Sequence, residues 1–290
     1  MSRRIPWIPV VMVGLFVAAV VYVNPLDAGR ELPPRPAADH AEHSGVPDGG
    51  DGLSDNHDGY ALSPVVLPDR RGDRLPLAFR LVNPDGAPAV PHEPVQSEPL
   101  HLYVLREDLS FYQHLHPTRT GDTWTAAVDV PDGGVYRLYA EFVPKERAGG
   151  VPIVLGTPFV IAGDTRYVPL PAPAPTVRVG GFTVSRLEGT ADLAAGRPGT
   201  MRFQVSDARG APVTALEPYL GVYGHASVFE SMTQRLTHLH PTVPADTRAT
   251  SRDGVLTFHT QLPQRGRHRV FLQFKVMGEV HQAAFTVIAT

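Results

Sequence analysis

From about Tyr60 onward the apolar residues come in short runs, many alternating with polar ones and each bounded by Gly, Pro, Asn or Asp. "LPLAFRLV" (Leu75–Val82) runs into an Asn-Pro-Asp-Gly turn, "LHLYVLREDLSFYQHLH" (Leu100–His116) reads as two strands about a polar turn, and "GGVYRLYAEFVP" (Gly133–Pro144) as another strand. After the proline-rich "DTRYVPLPAPAPT" (Asp164–Thr176) the same texture resumes, with "FTVSRL", "TMRFQVSDARGAPV", "VLTFHTQL", "HRVFLQFKV" and "QAAFTVIAT". Strands of period two with turn signals about every 8 to 12 residues predict an all-β chain of antiparallel sandwiches. The expected architecture is two tandem immunoglobulin-like β-sandwiches, residues 60–163 and 176–290, joined by an extended, stiff linker over 164–175.

The two halves are copies. Shifted by 124 positions, Phe79 meets Phe203, Gly86-Ala87-Pro88 meets Gly210-Ala211-Pro212, and Glu93-Pro94 meets Glu217-Pro218. His101 meets His225, Val104 meets Val228, and the five residues His114–Thr118 meet His238–Thr242. Further on the offset is 132, aligning "YRLYAEF" with "HRVFLQF", so eight extra residues lie in a loop of the second copy. An internal repeat of this length is the signature of a duplicated folding unit.

The N-terminal part is different. Arg3 and Arg4 precede Ile5–Val23, nineteen residues without a charge. As a helix at about 1.5 Å per residue this spans nearly the thickness of a bilayer core. Positive charge ahead of the span favours a chain held in the cytoplasmic membrane by residues 1–24, with its bulk outside. A signal peptide cut near Leu26-Asp27-Ala28, giving a secreted protein, is the other reading. Residues 25–59 are polar and rich in Pro, Gly and Asp, with almost nothing to bury, and are expected to form a disordered tether carrying His40, His43 and His57. The net charge of −3 is spread along the chain, so no basic stripe for nucleic acid exists.

What divergence left untouched is informative. Most retained positions suit turns and core, but three histidines recur at identical spacing: His101, His114 and His116, and His225, His238 and His240. Residues i and i+2 of a strand share a face. If "REDLS" turns an antiparallel hairpin centred between Asp108 and Leu109, His101 lies opposite His116 and Tyr103 opposite His114. All three imidazoles then share one face, with Leu102, Val104 and Leu115 on the other, and the second copy pairs His225 with His240. A register slip of one residue would break the set. Three imidazoles so placed can converge on one ion, each copy holding its own. Histidines that bond loop carbonyls at a structural corner are the competing reading. The retained Glu93 and Glu217 are candidates for a carboxylate ligand or an orienting group, or for surface charges before proline.

Chemistry narrows the ion. With no cysteine in the chain there are no disulfides, no thiolate ligands and no cysteine nucleophile. Neutral imidazoles suit Cu(II) or Zn(II), with the fourth position left to water, a carboxylate or a metal-transfer partner protein. No G-x-S-x-G elbow, H-E-x-x-H or phosphate loop is present, which argues against an enzyme.

The segments "LHLYVLREDLSFYQHLHPT…TW" and "LEPYLGVYGHASVF…LTHLHP" resemble a family of secreted or membrane-anchored bacterial proteins with tandem immunoglobulin-like or cupredoxin-like β-sandwiches and repeated H-L-H-P motifs. The resemblance covers roughly Tyr60–Thr290 and implies a β-sandwich in a heavy-metal, possible copper, context. The chain departs from anchored relatives in having an apolar span where they carry a lipid-bearing cysteine. A structural cell-surface module binding a protein or a wall polymer is the alternative function.

Overall fold

A computed structural model describes residues 49–89, 91–94, 97–147, 150–242 and 253–290, and the backbone alone of Pro91–Glu93, His238 and His240. Ile5–Val23, His40, His43 and the expected anchor therefore lie outside the described residues. Among the described residues no helix is long and apolar enough to cross a membrane.

The chain is all-β. The first copy contains β1 (Asn56–His57), β2 (Tyr60–Val66), β3 (Gly72–Val82), β4 (Pro91–Glu93), β5 (His101–Arg106), β6 (Tyr112–Leu115), β7 (Thr118–Thr120), β8 (Thr123–Val130), β9 (Gly134–Pro144) and β10 (Ile153–Ile161). The second contains β11 (Thr176–Val179), β12 (Phe182–Arg186), β13 (Gly199–Ser206), β14 (Gly224–Glu230), β15 (Leu236–Pro241), β16 (Val255–Thr260), β17 (Gly266–Val276) and β18 (Glu279–Ala289). In the first copy one sheet runs β1-β2-β3-β8-β7 and the other β10-β9-β5-β6, with β4 on β9. In the second the order is β11-β12-β13-β16-β15-β14-β17-β18.

These orders are the same once β15 is matched to β6 plus β7. β15 pairs with β14 through Leu236–Leu239 and with β16 through His240 and Pro241. The H-L-H-P motif is thus where the chain leaves one sheet for the other, within one strand in the second copy and through a break at His116 and Pro117 in the first. Four strands facing a sheet built on the third, sixth and seventh is the immunoglobulin arrangement, as expected from the strand spacing. The insertion is located by pairing. Phe79 lies beside Trp124, and its equivalent Phe203 beside Leu256. The offset has therefore reached 132 by β16, and the extra residues fall in the segment containing 243–252, outside the described residues.

Each sandwich buries its own core. Leu77, Phe79, Leu81, Trp124 and Val128 of one sheet meet Leu102, Val104, Leu138, Ala140 and Phe142 of the other. The second copy does this with Met201, Phe203, Val205 and Phe258 against Ala226, Val228, Leu272 and Phe274. An antiparallel sheet ordinarily leaves one face wet, yet every residue of β5 and of β14 is buried. The reason is a third apolar cluster, in which Tyr103, Leu105, Leu109, Tyr112 and Tyr139 of the first copy pack on Phe229, Leu236 and Phe271 of the second. Tyr112 stacks on Phe271 with ring centroids 4.3 Å apart, and its hydroxyl donates to Ser227 Oγ at 2.9 Å.

The linker is pinned to both copies. Arg106 donates to the Arg166 carbonyl, Val168 N–H donates to Asp108, and Arg267 donates to the carbonyls of Leu170 and Pro171. The expected tether also ends earlier than Gly59. The Gly49 carbonyl accepts from Val154 N–H, and Asp51 both accepts from Leu236 N–H and pairs with Arg235 at 2.8 Å. Gly52, at φ +76, passes so close to Tyr139 that a β-carbon there would overlap its ring. Backbone bonding to β10 and to the second copy orders this polar stretch, which has little apolar surface of its own to bury.

Candidate metal centre

The hairpin that positions the first triad is set by its turn. Leu109 N–H donates to the Arg106 carbonyl at 2.8 Å, and Leu109 takes φ +61. Asp108 holds the turn from inside, accepting from Ser110 N–H and Oγ–H and pairing with the buried Arg106 at 2.6 Å. The resulting ladder pairs Leu102 with Leu115 and Tyr103 with His114, the register expected from the sequence. In the second copy Ala226 pairs with Leu239 and Ser227 with His238, the corresponding register.

His101, His114 and His116 come together: a ligand nitrogen from each lies within 4.8 Å of the others. Their ring centroids are 5.0, 5.2 and 4.7 Å apart for the pairs 101–114, 101–116 and 114–116. His101 has no exposed surface, and His114 and His116 are half-buried. His114 Nε2 is 2.8 Å from His101 Nδ1, and His114 Nδ1 is 2.9 Å from the side-chain oxygen of Gln273. His116 Nε2 is buried and has no hydrogen-bond partner among the described residues. A buried polar nitrogen left so costs about 1–3 kcal/mol.

Electrostatics favour the neutral forms of His114 and His116. Burial, followed by the neighbouring His101, His116 and His225, pushes the His114 imidazolium well below its ordinary pKa, against a smaller opposing effect of Gln273. Burial and then His101 push His116 down to about 4. A neutral imidazole is the metal-binding form.

Of the second triad, His225 faces the first, with ring centroids 6.2 Å from His101 and 5.7 Å from His114. His225 Nε2–H donates to the Tyr219 carbonyl at 2.9 Å. His238 and His240 stand on β15 at the positions equivalent to His114 and His116, and their side chains lie outside the described residues. Glu217 lies away from the ligand role considered for it. It caps the β17–β18 turn by accepting from Gly278 N–H at 2.9 Å and approaches Lys275 at 3.6 Å. Its counterpart Glu93 sits on β4, paired with Val143.

Three participants were not legible as such. Glu141 lies directly across from His101 on β9, buried, and accepts from the Tyr103 hydroxyl at 2.6 Å. Burial first, and then Glu141, pushes the Tyr103 phenol up. Gln273 is the residue equivalent to Glu141 in the other copy. An acid or amide in the middle of "LYAEFV" and "FLQFKV" was the available signal, since apolar strands rarely bury such a group without a purpose. Tyr219 carries the carbonyl that orients His225.

The chain belongs to the family described as Domain of unknown function (DUF8832), which matches residues 58–157 and 177–290. No curated protein is similar to it. Among solved structures, it is similar to the Escherichia coli alpha-2-macroglobulin activated by porcine elastase, at 12% identity and a TM-score of 0.27 over 80% of this chain and 20% of that one. Yersinia pseudotuberculosis InvD gives 14% identity and 0.25, over 80% of this chain and 57% of that one. Domains 4 and 5 of the S-layer protein SbsC give 10% and 0.23, over 57% of this chain and 69% of that one. The chain thus spans about a fifth of the first of these, and likeness at this level says nothing of function.

Proposed function

We propose that this member of the family binds a divalent late transition metal, Cu(II) or Zn(II), through His101, His114 and His116, and works in metal handling outside the cytoplasmic membrane. The observation that carries the reading is the His116 Nε2 atom, buried without a partner among the described residues in a cluster of three imidazoles. Nitrogen donors without thiolate suit these two ions, and three histidines leave a fourth position for a further ligand. In the metal-free protein the His101 and His114 nitrogens share a hydrogen at 2.8 Å. Two nitrogens on one tetrahedral ion stand about 3.3 Å apart, so the ion takes the place of that proton with a shift of about half an ångström. Export follows from Arg3, Arg4 and the apolar Ile5–Val23, and a half-buried His116 gives a metal-transfer partner a side from which to approach. The role is binding and transfer, with no catalysis.

A second reading has its own support. The bond of His114 to Gln273 ties the two copies together, as a histidine of a purely structural cell-surface module would. Metal titration separates the two. The purified chain, stripped with chelator and titrated with Cu(II) and Zn(II), should bind about one equivalent at micromolar concentration or tighter, and His116→Ala should abolish this. No binding at that concentration would leave the structural module.

A further inference from the structure

The duplicated faces do not work separately; they pack on each other. Equivalent residues meet across the contact, His101 with His225, beside the packing of Tyr139 on Phe229 and of Tyr112 on Phe271. A residue that touches its own copy lies near a two-fold axis, as in an isologous dimer interface. The triad therefore sits on the pseudo-dyad, where the second copy can contribute to it.

Two contributions follow from named atoms. The Tyr112 carbonyl can only accept, and it takes the Gln282 amide N–H at 3.4 Å. The Gln282 oxygen then faces Gln273 and accepts from its amide N–H at 3.1 Å. That turns the Gln273 oxygen to His114, so His114 Nδ1 must carry the hydrogen and Nε2 the lone pair. Metal-bound histidines characteristically have the far ring N–H held by such an acceptor. His225 is held in the mirrored sense: its Nε2–H donates to a backbone carbonyl, so Nδ1 is the nitrogen with which a neutral ring would ligate.

Distance supports a fourth imidazole. Two rings on one tetrahedral ion have centroids about 5 Å apart, from a metal–nitrogen length of about 2.0–2.1 Å. The triad already meets this at 4.7–5.2 Å. His225, at 5.7 and 6.2 Å, needs about 1 Å of movement to join.

We infer that the metal centre is shared between the sandwiches, with His225 of β14 as a fourth ligand and Gln273 of β17 as the residue that positions His114. Ion binding and docking of the second sandwich on the first then stabilise each other. This rests on the proposed metal binding, but its first test does not. In the metal-free full chain, long-range 1H–15N correlation should find His114 protonated on Nδ1 in the wild type, and a mixture of tautomers in Gln273→Leu. In Zn(II) titrations His225→Ala and Gln273→Leu should each weaken binding by about 10–100-fold, and Gln273→Glu, which still accepts from Nδ1–H, should restore it. Hydrogen exchange in β14 and β17 should slow when Zn(II) is added to the wild type. If Gln273→Leu fails to fold, Gln273→Glu and His225→Ala carry the test. Wild-type binding matched by His225→Ala and Gln273→Leu, or His114 protonated on Nε2, would overturn the shared site and leave the first-copy triad standing. Failure of the wild type to bind any ion overturns both.

Discussion

His101 and His225 occupy equivalent positions in the two copies, and their rings face each other at 6.2 Å across the contact between the sandwiches. The sheet faces that carry these two histidines therefore do not lie exposed side by side. They are turned together, and the packing of Tyr112 on Phe271 and of Tyr139 on Phe229 closes the surface around them. A site enclosed in this way couples ligand chemistry to fold stability, and the predictions follow from that coupling.

His114 and His116 should behave differently when removed. His114 is bonded on both ring nitrogens, and His114→Ala takes the donor from the Gln273 side-chain oxygen, which should cost about 1–3 kcal/mol. His116→Ala removes a nitrogen that had no partner, so the metal-free protein should be nearly unchanged or slightly more stable. Chelator-treated samples unfolded in urea measure both; an equal loss for the two variants would contradict this assignment.

Acid should destabilise the metal-free protein in a defined window. His116 titrates near 4 in the folded chain and near 6.5 unfolded, and His114 is displaced in the same direction. The unfolded chain thus binds protons that the folded one refuses. Stability is complete above about pH 6.5 and declines as the pH falls towards about 4. Among the described residues, His101, His225, Tyr103, Tyr219 and Glu141 are the other titratable groups around these rings. Urea midpoints taken between pH 7.5 and 4.5 should fall, and by less in His116→Ala.

Bound metal should raise the melting temperature. At a free concentration one hundred times Kd, mass action adds about 2.7 kcal/mol, which for a folded region of this size is a rise of about 5–10 °C. Thermal melts with Zn(II) and with Mg(II) check it, and Mg(II), which prefers oxygen ligands, should leave the midpoint unmoved.

The contact between sandwiches should be a principal source of stability. Phe271→Ala removes the partner stacked on Tyr112, and a buried aromatic truncated to alanine costs about 3–5 kcal/mol. The same variant should weaken metal binding without touching a ligand. Gly52→Ala, forcing a side chain against Tyr139 at a positive φ, should destabilise the N-terminal segment and leave binding unaltered. Differential scanning calorimetry together with metal titration distinguishes the two outcomes.

Much of this was readable along the chain. The alternation of apolar residues and the duplicated Phe79 and Phe203 specify strands and their repetition, because side-chain period and local turn chemistry are properties of neighbouring residues. The register that puts Tyr103 opposite His114 was legible for the same reason: Asp108 and its turn are local. His225 beside His101, Gln273 beside His114 and the burial of all of β5 were not. They depend on how one finished sheet lies against another. That choice is made by the fit of Tyr112, Tyr139, Phe229 and Phe271, residues far apart in sequence whose apolar character alone does not say which surface they cover. The strands and the three-histidine spacing belong to the sequence; that His225 stands beside His101 and His114 was decided by the docking of one sandwich on the other.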